Sequence, residues 1–545
     1  MSATLTETIT SFLPVLLIVV TMTGFGWSSR RALPAGWALA LVIALIVWDM
    51  NLPSALGYSV LGAFKSLDII LIIFGALLVL NTLKESGAFR VICGSFRSIS
   101  EDGRIQVIII AWMFSAFLEG ASGFGAPAAV AAPLLAGLGV PPMSAVIAAL
   151  IMNSTPVAFA AAGIPISAAI NSLEGLVAGS AAQAAFSISL VRHTALIHGI
   201  AGTFIPLLTL FILLRPYGKH EGASPFRSII PFALFSGLAY TVPSVLIAFF
   251  FGPELPALLG ALIGLVLVLF AAKKGFLAPR EVFSFAPAPL RGEGDGDVPL
   301  QNLPGRLISW APYVLIALIL VVTRLPLFGL GPRLSALELR FPVVPGTSEA
   351  YSLKWAFLPG IFPFLFVALI QIPLFRMKAR SAGRAWKQSL HQTSGAAIAL
   401  VSGLAFVQLM LHSDLNGSGL PSMITVMAGS LSGVGRLLYI FAAPFIGDLG
   451  TFMSGSNTVS NILFSSLQYK TASLLSLPED IILALQVVGG GIGHMICVHV
   501  IVAVCATVGL KEGEGVVLKK NLLPALIYTL AAGTAGFIII VLRGI

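Results

Sequence analysis

Residues Phe117-Leu118-Glu119-Gly120-Ala121-Ser122-Gly123-Phe124-Gly125-Ala126-Pro127 and Asp448-Leu449-Gly450-Thr451-Phe452-Met453-Ser454-Gly455-Ser456-Asn457-Thr458 place Ser, Gly, Asn and a single acid inside otherwise apolar runs. A membrane helix would carry hydrocarbon side chains there. A second interruption follows each stretch further along: Asn153-Ser154-Thr155-Pro156 after the first and Gly489-Gly490-Gly491 after the second. Gly/Pro-interrupted hydrophobic segments at corresponding positions of two halves point to a transporter's substrate site.

Composition sets the frame. The chain has 545 residues, of which 57% are hydrophobic and 10% charged, with mean hydropathy +0.99. Soluble globular domains carry about a quarter charged residues, so this is a polytopic membrane protein. Charge-free runs able to cross roughly 30 Å of hydrocarbon include Thr194 to Leu214, Ser228 to Pro253, Trp355 to Phe375, Ile481 to Leu510 and Asn521 to Leu542. The longest, Gly120 to Leu173, has room for a hairpin plus a full helix. The pattern predicts an all-α fold of roughly 12 to 14 membrane-entering helices. Phe12 to Phe25 lacks a basic leader and a small-residue cleavage site and reads as a first helix.

The formal charge of +9 gathers in short basic loops at Arg30-Arg31, Lys84 to Arg104, Arg215 to Arg227, Lys273 to Arg306 and Arg376 to Lys387. That distribution carries orientation, with these loops cytoplasmic, and gives no reason to expect nucleic acid. The N-terminus and the loop near Gly346-Thr347-Ser348 then lie outside. Parity fails to close if the two polar stretches are ordinary spans, which favours re-entrant hairpins. Phe283 to Gly305, rich in Pro and Gly, reads as a cytoplasmic linker. The expected organisation is a membrane half 1–282 with hairpin 117–135 and broken helix 143–172, linker 283–305, and a second half 306–545 with hairpin 448–466 and broken helix 480–508. Laying Ser122-Gly123 on Ser454-Gly455 suggests a repeat of one plan, which we expect to be inverted.

Backbone exposed at membrane depth is tolerated only when buried in protein or lining a wet cavity. Thr155-Pro156 reads as an N-cap followed by Pro at the first helical position, so that a half-helix would start there and offer its amides to an anion. Gly489-Gly490-Gly491 reads as the break in the other helix. Expected substrate contacts are Ser122, Gly123, Asn153, Ser154, Thr155, Ser454, Ser456, Asn457, Thr458 and Gly490, a polar cage suited to a carboxylate with an adjacent hydroxyl. The competing explanation is that small residues let helices pack closely in lipid.

An acid inside a membrane is a functional residue by default. A carboxyl in apolar surroundings favours its neutral form, so Glu119 is expected to carry a proton, with Asp448 as a second candidate. His494 and His499 follow the glycine triplet and join the expected substrate contacts. Arg192, the one Arg or Lys between Arg104 and Arg215, could draw in a carboxylate or anchor at the interface. Cys93, Cys497 and Cys505 form no disulfide framework or metal spacing. No cofactor or metal is expected, and the absence of a P-loop or H-E-x-x-H motif leaves an ATP-driven pump or metalloenzyme unsupported.

The stretch Phe117 to Pro127, with Asn153-Ser154-Thr155-Pro156-Val157-Ala158-Phe159 and Gly163-Ile164-Pro165-Ile166, resembles the signature of the bacterial lactate permease family. In the second half, Ser454-Gly455-Ser456-Asn457-Thr458-Val459-Ser460-Asn461 and Gly489-Gly490-Gly491-Ile492-Gly493-His494-Met495-Ile496 are similar to the family's second hairpin and second break. The resemblance implies a symporter of the bacterial cytoplasmic membrane that brings lactate, glycolate or a related 2-hydroxy monocarboxylate inward with a proton. It also implies kinship with the ion transporter superfamily and its elevator-like motion, with a homodimer one assembly open to it. Ser456-Asn457-Thr458 resembles the Ser-Asn-Thr signature of sodium-coupled dicarboxylate carriers in that group. The chain departs from the family at Cys497-Val498-His499, where a small residue, Pro and Gln are usual, and at His494, where Lys is common. Sodium coupling and an anion channel are the alternative expectations.

Overall fold

Crossing roughly 30 Å of hydrocarbon at 1.5 Å per residue takes about 20 helical residues. In the computed structural model ten helices among the described residues are long and apolar enough to do so. The structure describes residues 5–544 except 26, 95–99, 122, 124–125, 174, 178, 218–224, 286–303, 325–327, 359 and 511–512. A further pair, Pro142–Asn153 and Pro156–Asn171, meets the length only when joined and bends by 55° between its parts. Shorter apolar helices include Ile361–Leu374 and Met423–Ser432. Most of the expected linker falls outside the described residues. Its first residues are tied down: the Phe283 N–H donates to Asp102 Oδ2 at 3.1 Å, and the Gly103 N–H donates to the Phe283 carbonyl at 2.7 Å.

Two long helices, Leu52–Glu85 and Ala379–Leu411, form the most extensive helix contact. Asn51 caps the first by accepting from the Ser54 N–H at 2.8 Å. The pair approaches closely at Gly62, where a Cβ would sit 2.4 Å from the Leu404 carbonyl oxygen. A short antiparallel ribbon, Leu339–Val343 with Ala350–Leu353, leans on this pair. Its turn glycine, Gly346, has φ +84° and rests against Pro53. Glu349 fixes the ribbon by reaching Lys65 Nζ at 3.2 Å and His412 Nε2 at 3.4 Å, while Lys65 also donates to Gln408 at 3.4 Å. Lys65 lies buried within an apolar helix, so its charge needs these partners.

The first polar stretch begins in Ser115–Ala121 and returns as Ala126–Ala136, and the second joins Arg436–Ser454 to Asn457–Leu474. The entering arm is long in both: Gly103–Ala121 and Arg436–Ser454 are each long enough to cross a bilayer. Asp448 accordingly sits within a helix rather than at the mouth of a hairpin. Each unit then leads to an interrupted helix, and the units pack crosswise. Asn457–Leu474 lies on Ala160–Asn171 from the first half, and Ala126–Ala136 lies on Val498–Thr507 from the second.

Two local expectations are corrected. Thr155 makes no capping bond, and Pro156–Phe159 is a single tight turn. Ala161, Ala162 and Gly163 then turn left-handed, at φ 42°, 57° and 80°, before the helix resumes. The interruption therefore extends from Thr155 to Gly163, and the Thr155 hydroxyl goes to Tyr528 on another helix instead of capping the turn. Gly489, Gly490 and Gly491 do not break their helix, which runs unbroken over Glu479–Gly493. They are close-approach points: a Cβ at Gly489 would lie 1.9 Å from the Pro444 carbonyl oxygen, and one at Gly447 would lie 2.1 Å from that of Gln486. These glycines let Arg436–Ser454 and Glu479–Gly493 touch backbone to backbone, the packing role of small residues in membranes. The helix stops only at His494–Cys497.

Gly489→Ala forces a methyl against rigid backbone and is expected to destabilise the protein by about 1–3 kcal/mol. Gly429→Ala, where nothing lies within 4 Å, is expected to leave the midpoint unchanged in the same thermal unfolding series. The His412 hydrogen bond, followed by the Lys65 charge, holds the Glu349 carboxyl down to about 2 from the ordinary 4.5. A carboxyl lowered on folding stabilises above its unfolded pKa and loses that contribution as pH falls toward its folded value. Hydrogen exchange in residues 339–353 should thus be faster in Glu349→Gln than in wild type at about pH 6, with the difference shrinking toward about pH 3.

Candidate functional site

The crosswise packing frames a cavity of about 130 Å³ at the meeting point of both interruptions. Glu119 enters from the end of Ser115–Ala121, and Val157, Ala160, Ala161, Ile164 and Pro165 come from the first interruption. Gly455, Ser456, Asn457 and Thr458 form the tip of the second hairpin, and His494 stands where the second interrupted helix stops. The left-handed residues at 161–163 turn the chain around the cavity wall.

The tip is organised by its own hydroxyls. Ser454 Oγ donates to the carbonyls of Gly450 at 2.7 Å and Ser456 at 3.0 Å, and Ser456 Oγ caps the returning helix by accepting from the Val459 N–H at 3.4 Å. Gly455, at φ +75°, permits the reversal between them. Asn457 and Thr458 therefore occupy the first turn of an 18-residue helix whose positive end borders the cavity. The anion-favouring helix end lies here rather than at Thr155-Pro156.

Glu119 is buried and paired. Asn153 Nδ2 donates to Glu119 Oε2 at 2.8 Å, and Ser115 Oγ donates to Asn153 Oδ1 at 2.7 Å. Asn153 is thus the carboxyl's partner and does not line the cavity. Polar atoms also stand idle around the cavity: Asn457 Oδ1 and His494 Nδ1 are buried without hydrogen-bond partners. Buried polar atoms left unpaired cost free energy, so a ligand that satisfies them gains by it. The Asn457 Nδ2 is occupied, donating to the Val487 carbonyl at 3.2 Å.

The other expected contacts are placed elsewhere. Ser154 Oγ donates to the Ile151 carbonyl at 2.7 Å, and Thr155 Oγ1 meets the Tyr528 hydroxyl at 3.1 Å. Gly123, at φ +58°, rests the first hairpin tip on Ala160. Gly490 makes room for the Asn457 carboxamide, since a Cβ there would lie 1.9 Å from Asn457 Oδ1. Asp448 is buried beside Gly493 with Oδ1 unpartnered and does not border the cavity. Arg192 is exposed, donating to the Phe249 carbonyl at 3.1 Å with its guanidinium over that ring. Ser122 and the side chain of His499 lie outside the described residues. Among the described residues no group of three or more His, Cys, Asp or Glu could hold a metal ion.

Sequence reasoning missed the groups that stitch the halves together. Asn461 Nδ2 donates to the Pro165 carbonyl at 3.0 Å, and Ser466 Oγ donates to that of Ser172 at 2.6 Å. Their signal was present as polar side chains spaced through an apolar helix.

Residues 7–543 match the L-lactate permease family. The chain belongs to that family. A putative L-lactate permease of Haemophilus influenzae is 31% identical over 98% of both chains. The glycolate permease of Escherichia coli strain K12 is 27% identical over 96% of this chain and 94% of its own. The crystal structure of the Alcanivorax borkumensis YdaH transporter aligns over 89% of this chain and 87% of that one, with 15% identity and a TM-score of 0.46. The L-lactate permease family is one of transporters rather than enzymes, and this member is a multi-pass protein of the bacterial inner membrane.

Thr458 borders the cavity and Arg192 does not, so a thiol placed at each should respond differently to ligand. Thr458→Cys is expected to be protected from a small thiol reagent by millimolar lactate, whereas Arg192→Cys should label at the same rate with and without it, read by mass spectrometry.

Proposed function

We propose that the protein imports a small 2-hydroxy monocarboxylate, L-lactate, D-lactate or glycolate, together with a proton. The single observation that carries this reading is a buried acid, Glu119, facing a helix N-terminus and two idle polar atoms across one small cavity. The substrate carboxylate would take the first-turn amides at Asn457 and Thr458, where the helix end favours negative charge. Its 2-hydroxyl would donate to Asn457 Oδ1 or His494 Nδ1, which lack partners. Relatives named for L-lactate and for glycolate, both 2-hydroxy acids, support that substrate class.

Coupling follows from charge. An ionised Glu119 and a substrate carboxylate in one low-dielectric cavity repel strongly, so the anion enters when Glu119 holds a proton. The loaded site then carries the one negative charge of the substrate, set against the helix end, instead of two, which lowers the cost of carrying it through the membrane. The crosswise-packed hairpins and interrupted helices would move as one body against the Leu52–Glu85 and Ala379–Leu411 pair, in the elevator manner. The competing reading is sodium coupling, favoured by the unpartnered oxygens Asn457 Oδ1 and Thr451 Oγ1, which both border Gly490.

In proteoliposomes, an imposed inward pH gradient should accumulate lactate with sodium replaced by choline. Glu119→Gln is expected to abolish that accumulation while retaining lactate exchange at equal concentrations. Accumulation that needs external sodium at fixed pH would transfer the coupling to the cation, and purely downhill flux would make the protein a channel.

A further inference from the structure

The lining of the substrate cavity is divided by chemistry. Ser456, Asn457, Thr458 and His494 bring polar groups to it from the second half, and Glu119 brings one from the first. Apart from Gly455, the rest of the wall is hydrocarbon: Val157, Ala160, Ala161, Ile164 and Pro165, all within the first interruption or just after it. These five residues are buried. Sites for drug-sized ligands run to about 300–1,000 Å³, so a cavity of about 130 Å³ admits a small solute.

This wall is backed by other elements. A Cβ on Gly123, at the tip of the first hairpin, would come within 3.3 Å of the Ala160 Cβ and 3.4 Å of the Ala161 Cβ. The two alanine methyls therefore rest on that tip, and the larger side chains of Val157 and Ile164 set how deep the wall lies. Gly163 is pressed on Pro253, whose carbonyl oxygen would lie 2.6 Å from an added Cβ. Pro165 is held through its carbonyl by Asn461 Nδ2 at 3.0 Å. A wall so supported has little room to retreat, and close-packed surroundings resist even one extra methylene.

We propose that Val157 and Ile164 form an alkyl-selecting wall, which makes a methyl-bearing 2-hydroxy acid the preferred substrate over glycolate and turns away longer chains. The proposal rests on the reading of the cavity as a 2-hydroxy acid site. C2 of such an acid bears a carboxylate, a hydroxyl, a hydrogen and one further group. The first two are taken by the second half, at the first-turn amides of Asn457 and Thr458 and at the idle Asn457 Oδ1 and His494 Nδ1. The further group is thereby left to the hydrocarbon of the first interruption. A methyl there leaves water for an apolar surface, which is favourable. The lone hydrogen of glycolate leaves that surface uncovered, and an ethyl or larger group meets a wall that does not yield.

The test is equilibrium exchange of radiolabelled lactate by the full chain in proteoliposomes at one fixed pH, with unlabelled glycolate, lactate and 2-hydroxybutyrate as competitors. In wild type, half-inhibition is expected to need about ten-fold less lactate than glycolate, the low end of what one methylene contributes in an apolar pocket, and about ten-fold less lactate than 2-hydroxybutyrate. Val157→Ala deepens the wall and is expected to bring 2-hydroxybutyrate level with lactate, and the milder Ile164→Val should narrow the same gap. Each reading is a ratio within one variant, so a fall in the amount of folded protein does not alter it. A wild type that takes glycolate as readily as lactate would overturn the alkyl wall, as would a ratio of 2-hydroxybutyrate to lactate that neither variant moves. Absence of lactate exchange in wild type would instead overturn the reading of the cavity as a 2-hydroxy acid site, and the wall with it.

Discussion

A helix interrupted inside hydrocarbon leaves carbonyls that no water can reach, and each costs several kcal/mol unless another group donates to it. This obligation shapes the protein around its two interruptions. Asn461 and Ser466 donate to the carbonyls of Pro165 and Ser172, and Asn521 Nδ2 donates to that of Met495 at 2.7 Å. The first interruption is thus satisfied by side chains from the other half of the chain. The second interruption is satisfied from within its own half by Asn521, so it is the first half that depends on the second for the bonds its open backbone lacks.

The packing, by contrast, is reciprocal. Each half sends a hairpin arm to the interrupted helix of the other, so the polar tip of the second hairpin arrives opposite the acid of the first. The cavity's chemistry is therefore divided unevenly. The first half supplies the carboxyl and its Asn153 partner, and the second supplies the helix end, the carboxamide and the imidazole. Close-approach glycines hold the second half at contact distance. The pair of long helices packs on this core, Leu52–Glu85 against Ala160–Asn171 and Ala379–Leu411 against Asn457–Leu474, and carries the ribbon pinned by Lys65, Glu349 and His412.

Much of this was legible in the residues. The polar stretches at 117–127 and 448–458 announced themselves because Ser, Asn and acid are costly in lipid, and Glu119, Ser456, Asn457, Thr458 and His494 all border the cavity. What was not legible was which of two jobs a small residue performs. Glycine both breaks helices and lets them touch, and at 489–491 the neighbours decide in favour of touching. Thr155 carried a capping signature in its local sequence, but its hydroxyl goes to Tyr528, 373 positions away. A partner at that separation leaves no trace in local spacing. Lys65, a cation in mid-helix that the sequence reading passed over, is the converse: its partners Glu349 and Gln408, distant in sequence, give it meaning only in three dimensions.

Ala161 and Ala162 adopt a left-handed backbone that an L-residue with a side chain resists, at roughly 1–2 kcal/mol each. The bend that shapes the cavity is therefore imposed by its surroundings and is not a local preference of the chain. Such a segment behaves like a loaded spring: it keeps its form only while Asn461, the hairpin tips and the neighbouring helices press on it. Any motion that separates these elements lets the alanines relax, and the wall of the cavity changes with them. Opening the site and altering its fit for a solute would then be one mechanical event.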